Sequence, residues 1–189
     1  MQVSLRPARR EDAPDLARLM DMAGEGLPSW VWARMAEPGE TPMQVGVRRA
    51  ASDAGGFSWR NAVVAEVAGQ VAGALVSYRV ADEPEPLEAL PPVFRPLQAL
   101  ENLVPGSQYV NAIATYPAFR RQGVGARLMA EAERQGAGAP GGLSLIVADR
   151  NLEARRLYEA CGYVEIGREP LVREGWRSES EAWVLMVRR

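Results

Sequence analysis

The chain contains no histidine and no lysine. All 22 of its basic residues are arginine, and Cys161 is its single cysteine. Each absence removes a class of chemistry. Without histidine there is no Ser-His-Asp or Cys-His nucleophile pair and no imidazole-ligated zinc. Without lysine there is no Schiff-base amine, and no nucleotide-hydrolysing phosphate loop, whose end requires Gly-Lys-Ser/Thr. One cysteine builds neither an internal disulfide nor a thiolate metal cage, a usage suited to a reducing cytoplasm. In Ala160-Cys161-Gly162, closing a helical pattern, it reads as a small buried hydrophobe. No apolar run approaches the roughly 18 residues of a membrane span, and no signal-peptide core opens the chain, so secretion is not expected. A net charge of −2 offers no basic field to nucleic acid or an anionic membrane. Carboxylates, tyrosines, backbone amides and water remain for acid–base work.

What is present fits one enzyme-sized domain: 189 residues, 47% apolar and 24% charged. The most informative stretch is Arg120-Arg121-Gln122-Gly123-Val124-Gly125-Ala126. It follows the strand-like run Tyr109–Thr115 and precedes a helix whose inner face is Val124, Leu128 and Ala132, every fourth residue. A strand delivering a glycine-containing turn into a helix N-terminus leaves several N–H groups unpaired in one direction. With the helix dipole they make an anion site of a size suited to a pyrophosphate. Gly123 and Gly125 let a ligand approach the backbone without a Cβ in the way. A dinucleotide fingerprint would need a third small residue where Arg127-Leu128 stands. By itself the turn is equally well read as structural.

A second motif changes that balance. After the apolar run Leu143–Val147 comes Asn151-Leu152-Glu153-Ala154-Arg155-Arg156-Leu157-Tyr158, ending in Cys161-Gly162-Tyr163. Asn151 and Tyr158 are seven residues apart, near two helical turns, so they share a face with the small Ala154 between them. Asn151 suits the N-cap and Gly162 the C′ position. An ordinary amphipathic helix with a core tyrosine is the plain alternative.

In this order and spacing, Arg120-x-x-Gly123-x-Gly125 and Asn151-x-x-Ala154-x-x-x-Tyr158 resemble motifs A and B of the GNAT N-acetyltransferase superfamily. Arg6-Pro7-Ala8-Arg9-Arg10-Glu11-Asp12-Ala13 resembles that family's opening. The resemblance covers residues 57–168 well and the earlier part loosely. It implies an α/β (α+β) fold with a mixed, mostly antiparallel, splayed sheet of about six or seven strands flanked by helices. It also implies acetyl-CoA as acyl donor with no metal, and a primary amine on a small molecule or peptide as acceptor; a homodimer is compatible with it.

The resemblance further assigns roles. The cofactor would lie between the fourth and fifth strands. Backbone groups of Ile113, Ala114 and Thr115 would hold its pantetheine arm, and N–H groups of Arg120, Arg121, Gln122, Gly123, Val124, Gly125 and Ala126 its pyrophosphate. Asn151, Ala154 and Tyr158 would complete the cofactor side, with Tyr158 protonating the leaving sulfur. A phenol near pKa 10 giving its proton to a thiolate near 8.5 is uphill by roughly 2 kcal/mol. For the base the first candidate is Glu66, with Asn111 orienting a water and Glu101 a third choice. Trp30, Trp32, Tyr78 and Asn111 would line the acceptor side, with plain core packing the equal alternative for the two tryptophans.

Coarse patterning adds a first strand at 3–6, a helix at 11–22, short helices at 29–36 and 42–53, and a hairpin of 61–67 with 71–78 turning at Ala68-Gly69-Gln70. Late strands fall at 163–168 and 183–187. The whole reads as one domain, 1–189, with an insertion at 79–108 that starts acidic and proline-rich (81–92) and turns helical at 93–103. The insertion is either a solvated flap or an acidic rim that attracts a cationic acceptor. Two other functions stay open: a non-catalytic acyl-CoA sensor of the same fold, and a nucleotide-binding α/β module of another fold.

Overall fold

The computed structural model describes residues 2–189. Seven strands form: β1 (Val3–Pro7), β2 (Ala62–Val67), β3 (Gln70–Arg79), β4 (Gln108–Thr115), β5 (Leu143–Ala148), β6 (Val164–Pro170) and β7 (Ala182–Arg188). Six helices accompany them: α1 (Ala13–Ala23), α2 (Leu27–Met35), α3 (Pro42–Ala50), α4 (Arg95–Glu101), α5 (Val124–Gln135) and α6 (Leu152–Ala160). The sheet order is β1-β2-β3-β4-β5-β7-β6. The pair β4/β5 is parallel, and β1/β2, β2/β3, β5/β7 and β6/β7 are antiparallel. This is the mixed, mostly antiparallel sheet that the sequence led us to expect. Among the described residues no helix is long and apolar enough to cross a membrane.

The chain divides into two compact units, residues 2–78 with 111–134 and residues 79–110 with 135–189. In the first, α1 turns Leu16 and Leu19 onto Val64, Ala74 and Val76 of the sheet, and all five are buried. Burying a leucine side chain is worth about 1.5–3 kcal/mol, so this face holds the helix down. The β2–β3 hairpin turns on two residues, Ala68 (φ 51°) and Gly69 (φ 75°), both left-handed as a two-residue turn of right-twisted strands requires. One helix is shorter than expected: the third ends at Ala50, where Ala51 and Ser52 already bond back to it as a turn, while the second is displaced, running from Leu27 to Met35.

In the second unit β7 is the spine, buried from Ala182 to Val187 between β5 and β6. Gly167 gives β6 a bare patch where α4 rests, with Leu100 and Leu103 each 3.3 Å from where a Cβ would lie. The acidic segment before α4 is no loose flap. Asn102 accepts from the Glu85 N–H at 3.0 Å and donates to its carbonyl at 2.9 Å, while Arg95 donates to the carbonyls of Leu90 and Glu88. Its acidic side chains nonetheless face solvent.

Candidate active site

In the first unit the candidate site begins where β4 ends. Asn111, Ile113 and Thr115 alternate on one face of β4 and are half-buried, whereas Val110 and Ala112 are buried. Beyond Thr115 the chain makes a tight turn over Pro117–Phe119 and then passes through two left-handed residues, Arg121 (φ 60°) and Gly123 (φ 83°). Arginine in that region costs about 1–3 kcal/mol, strain that clusters at ligand clamps. The first helical hydrogen bond of α5 runs from Arg127 N to Gly123 O at 3.0 Å. The amides of Val124, Gly125 and Ala126 are therefore orphan donors of the first turn. A Cβ built on Gly123 or Gly125 would meet nothing within 4 Å, so the space over these amides is open. Arg120 and Arg121 are exposed and have no carboxylate partner among the described residues. The open space, the orphan donors and the unneutralised cations together fit a pyrophosphate.

Two supports of this loop escaped the sequence reading. Gly73 on β3 lies so close to it that a Cβ would sit 2.5 Å from the Ala114 carbonyl oxygen and 3.1 Å from Val124. A lone glycine inside a strand pattern was the available signal. The second support is Tyr116, whose hydroxyl donates to Asp15 at 2.6 Å. Burial and that carboxylate push its pKa up to about 12. Nothing local in the sequence links residues 101 positions apart.

The other expected residues of this unit fall in separate places. Glu66 accepts from Arg6 Nε at 2.8 Å, and the same guanidinium grips Asp12 at 2.7 and 2.9 Å. That grip, with the Arg9 N–H, holds Asp12 below the usual carboxylate range. The Glu66 carboxylate is thus engaged by Arg6 and serves first as a structural tie between β1 and β2. Trp32 is 3% exposed and stacks on Phe57 at 5.9 Å, with Val45 and Ala17 in the same cluster. It fills the core under α2 and offers no face to an acceptor. Trp30 carries its own cation: the Arg34 guanidinium lies 3.3 Å from its ring centroid. Tyr78 is half-buried with its ring over Gly56, which has no Cβ to obstruct it.

In the second unit α6 is built as its sequence implies. Asn151 Oδ1 accepts from Ala154 N at 3.2 Å, capping the helix. At the other end Gly162 (φ 84°) carries a paired closure, Tyr163 N to Tyr158 O and Gly162 N to Glu159 O, both 3.0 Å. Between these fixed ends Tyr158 is 8% exposed, its ring 6.1 Å from that of Tyr163. Burial, with a smaller contribution from Cys161, pushes its phenol up to about 12. Its hydroxyl makes no hydrogen bond among the described residues.

Comparison with known proteins bears on the family and the fold. The family model described as Acetyltransferase (GNAT) family matches residues 27–163. None of the curated proteins matches the chain. Among solved structures, an N-acetyltransferase from Staphylococcus aureus Mu50 is similar at a TM-score of 0.66 and 22% identity, covering 97% of this chain and 99% of that one. Ard1 from Thermoplasma volcanium is similar at 0.60 and 18%, covering 100% and 97%. The ribosomal-protein-S18-alanine N-acetyltransferase from Escherichia coli is similar at 0.59 and 18%, covering 98% and 92%. At these identities the likeness is one of fold.

Proposed function

Since the chain belongs to the acetyltransferase (GNAT) family, whose chemistry is acetyl transfer from acetyl-CoA, we propose that it acetylates a primary amine on a small molecule or peptide by direct attack, with Tyr158 as general acid. The observation that carries the reading is the 121–126 loop, with its orphan amides, open space and unneutralised arginines. These amides would hold the pyrophosphate, and backbone groups of Ile113, Ala114 and Thr115 the pantetheine arm. The cofactor supplies a thioester, an acyl carbon that a neutral amine attacks. Asn111, half-buried on β4, orients the water that takes the amine's proton. Tyr158 gives its proton to the departing sulfur.

The magnitudes allow this. A phenol near 12 protonating a thiolate near 8.5 is uphill by about 5 kcal/mol. That exceeds the roughly 2 kcal/mol expected of an unperturbed tyrosine, yet a turnover near 10 per second corresponds to a barrier of about 16 kcal/mol. The step fits beneath it.

The engagement of Glu66 by Arg6 favours a second reading, a non-catalytic acyl-CoA sensor lacking a free carboxylate base. One experiment separates the readings. Calorimetric titration with coenzyme A, ATP and NAD reports the ligand, and thiol release from acetyl-CoA with a panel of amines reports the chemistry. Coenzyme A binding with amine-dependent thiol release supports the transferase, and binding without release supports the sensor. Binding of ATP or NAD in place of coenzyme A sinks both.

A further inference from the structure

We propose that Asp15 and Tyr116 form a latch that positions the 116–123 loop, and that this latch sets cofactor affinity and leaves the chemical step alone. The proposal rests on the reading of the loop given above. Tyr116 is the last residue that ties β4 to its neighbour, through its N–H to the Ala72 carbonyl at 2.9 Å. Its own carbonyl accepts from Phe119 N at 2.9 Å, starting the turn. Downstream come an extended Arg120 and the left-handed Arg121 and Gly123, and regular bonding resumes only with α5. The direction of the donor amides therefore depends on how the chain leaves Tyr116.

The Tyr116 side chain fixes that departure. Its hydroxyl reaches Asp15 at 2.6 Å, a short phenol-to-carboxylate bond of the strong, charge-assisted kind. Asp15 stands on α1, which is anchored by the buried Leu16 and Leu19, and has Arg18 at 3.6 Å as a counter-charge. A rigid helix thus grips the exit of the strand. Neither side chain has a part in the proton transfers assigned above, so both are positioning residues. Displacing clamp groups by about 1 Å is enough to cost a large factor in binding or rate.

Three readouts test the latch: coenzyme A affinity by calorimetry, KM for acetyl-CoA against kcat, and tryptic cleavage after Arg120 and Arg121 in ligand-free protein, mapped by mass spectrometry. Tyr116→Phe and Asp15→Ala should each raise the dissociation constant about tenfold, leave kcat within about twofold, and speed cleavage at the loop. The double variant should be no worse than either single, since both remove one interaction. Asp15→Asn keeps an oxygen that accepts from the phenol and should retain most of the affinity, which separates loss of the latch from loss of fold. Wild-type affinity and cleavage in Tyr116→Phe, additive losses in the double variant, or a fall confined to kcat would each overturn the proposal. If the wild-type protein does not bind coenzyme A, the loop's assigned ligand is wrong, while the cleavage comparison still decides whether the latch exists.

Discussion

Tyr116 in the first unit and Tyr158 in the second both hold their protons more tightly than a free phenol, each pushed up to about 12, but by different means. Tyr116 combines burial with a hydrogen bond to Asp15, so its proton is already committed to a carboxylate. Tyr158 owes its shift chiefly to burial, and its hydroxyl has no hydrogen-bond partner among the described residues. A raised pKa therefore does not by itself mark a catalytic acid. The partner distinguishes the two: a proton committed to a carboxylate holds structure, and one without such a partner is the candidate for transfer.

The sharpest way to break this comparison is to delete each hydroxyl while keeping the ring. Tyr158→Phe should lower kcat by about tenfold to a thousandfold with little change in coenzyme A affinity, the mark of a group acting only in the transition state. Tyr116→Phe should do the reverse. Steady-state kinetics with an active acceptor reads both, and an unaffected kcat in Tyr158→Phe would make Tyr158 a packing residue.

Next in size is Gly125→Val. Gly125 has an ordinary helical backbone, unlike Gly123 at φ 83°, so no strain is expected and the variant should fold. The valine would fill the space over the amides and weaken coenzyme A binding more than tenfold. Calorimetry giving an unchanged dissociation constant in a folded protein would remove the loop from the cofactor site.

The two units also differ in how far sequence alone reaches them. The helix α6 was legible to its ends because its cap, spacing and closing glycine are local: Asn151, Ala154 and Gly162 all act within a few residues. The loop was legible at Gly123 and Gly125 for the same reason. What joins distant segments was not. The Tyr116–Asp15 bond, the Arg6 bridge to Glu66 and Asp12, and the packing of Trp32 on Phe57 depend on which elements become neighbours. For Trp30 and Trp32 the sequence left core packing and an acceptor contact both open, because an aromatic in a helix has the same pattern whether it meets the core, an arginine of its own chain or a substrate.

Alkaline titration tests the shared shift. An unfolded tyrosine ionises near 10 and these two near 12, so between those values the unfolded chain binds fewer protons. The stability they contribute is fully present below pH 10 and is lost as pH rises through 12. Thermal melts should show that fall in the wild type and a shallower one in each Phe variant. The acid side runs the other way. Asp12 is held below its ordinary 3.8, so its contribution is present above that value and lost as pH falls beneath it, and Asp12→Asn should flatten that limb.

The smallest expected effect concerns charge. The first unit presents exposed arginines with no carboxylate partner among the described residues at its loop, whereas the second exposes Asp82, Glu83, Glu85 and Glu88 on a segment pinned by Asn102 and Arg95. Pinning turns a floppy acidic stretch into a fixed field, which is what a rim for a cationic acceptor requires. Asp82 shares its surroundings with Arg79, both flanking Gly106, so Glu83 and Glu85 carry most of that field. Changing Asp82, Glu83 and Glu85 to Asn or Gln leaves the backbone bonds of Asn102 intact. The triple variant should raise the KM of a cationic acceptor by about twofold to fivefold at low salt and flatten its salt dependence, because such attraction is screened over about 8 Å at physiological ionic strength. The KM for acetyl-CoA should stay put, since the proposed function places its phosphates at the arginine-flanked loop. An unchanged acceptor KM at low salt would show that the pinned segment is only a solvated edge.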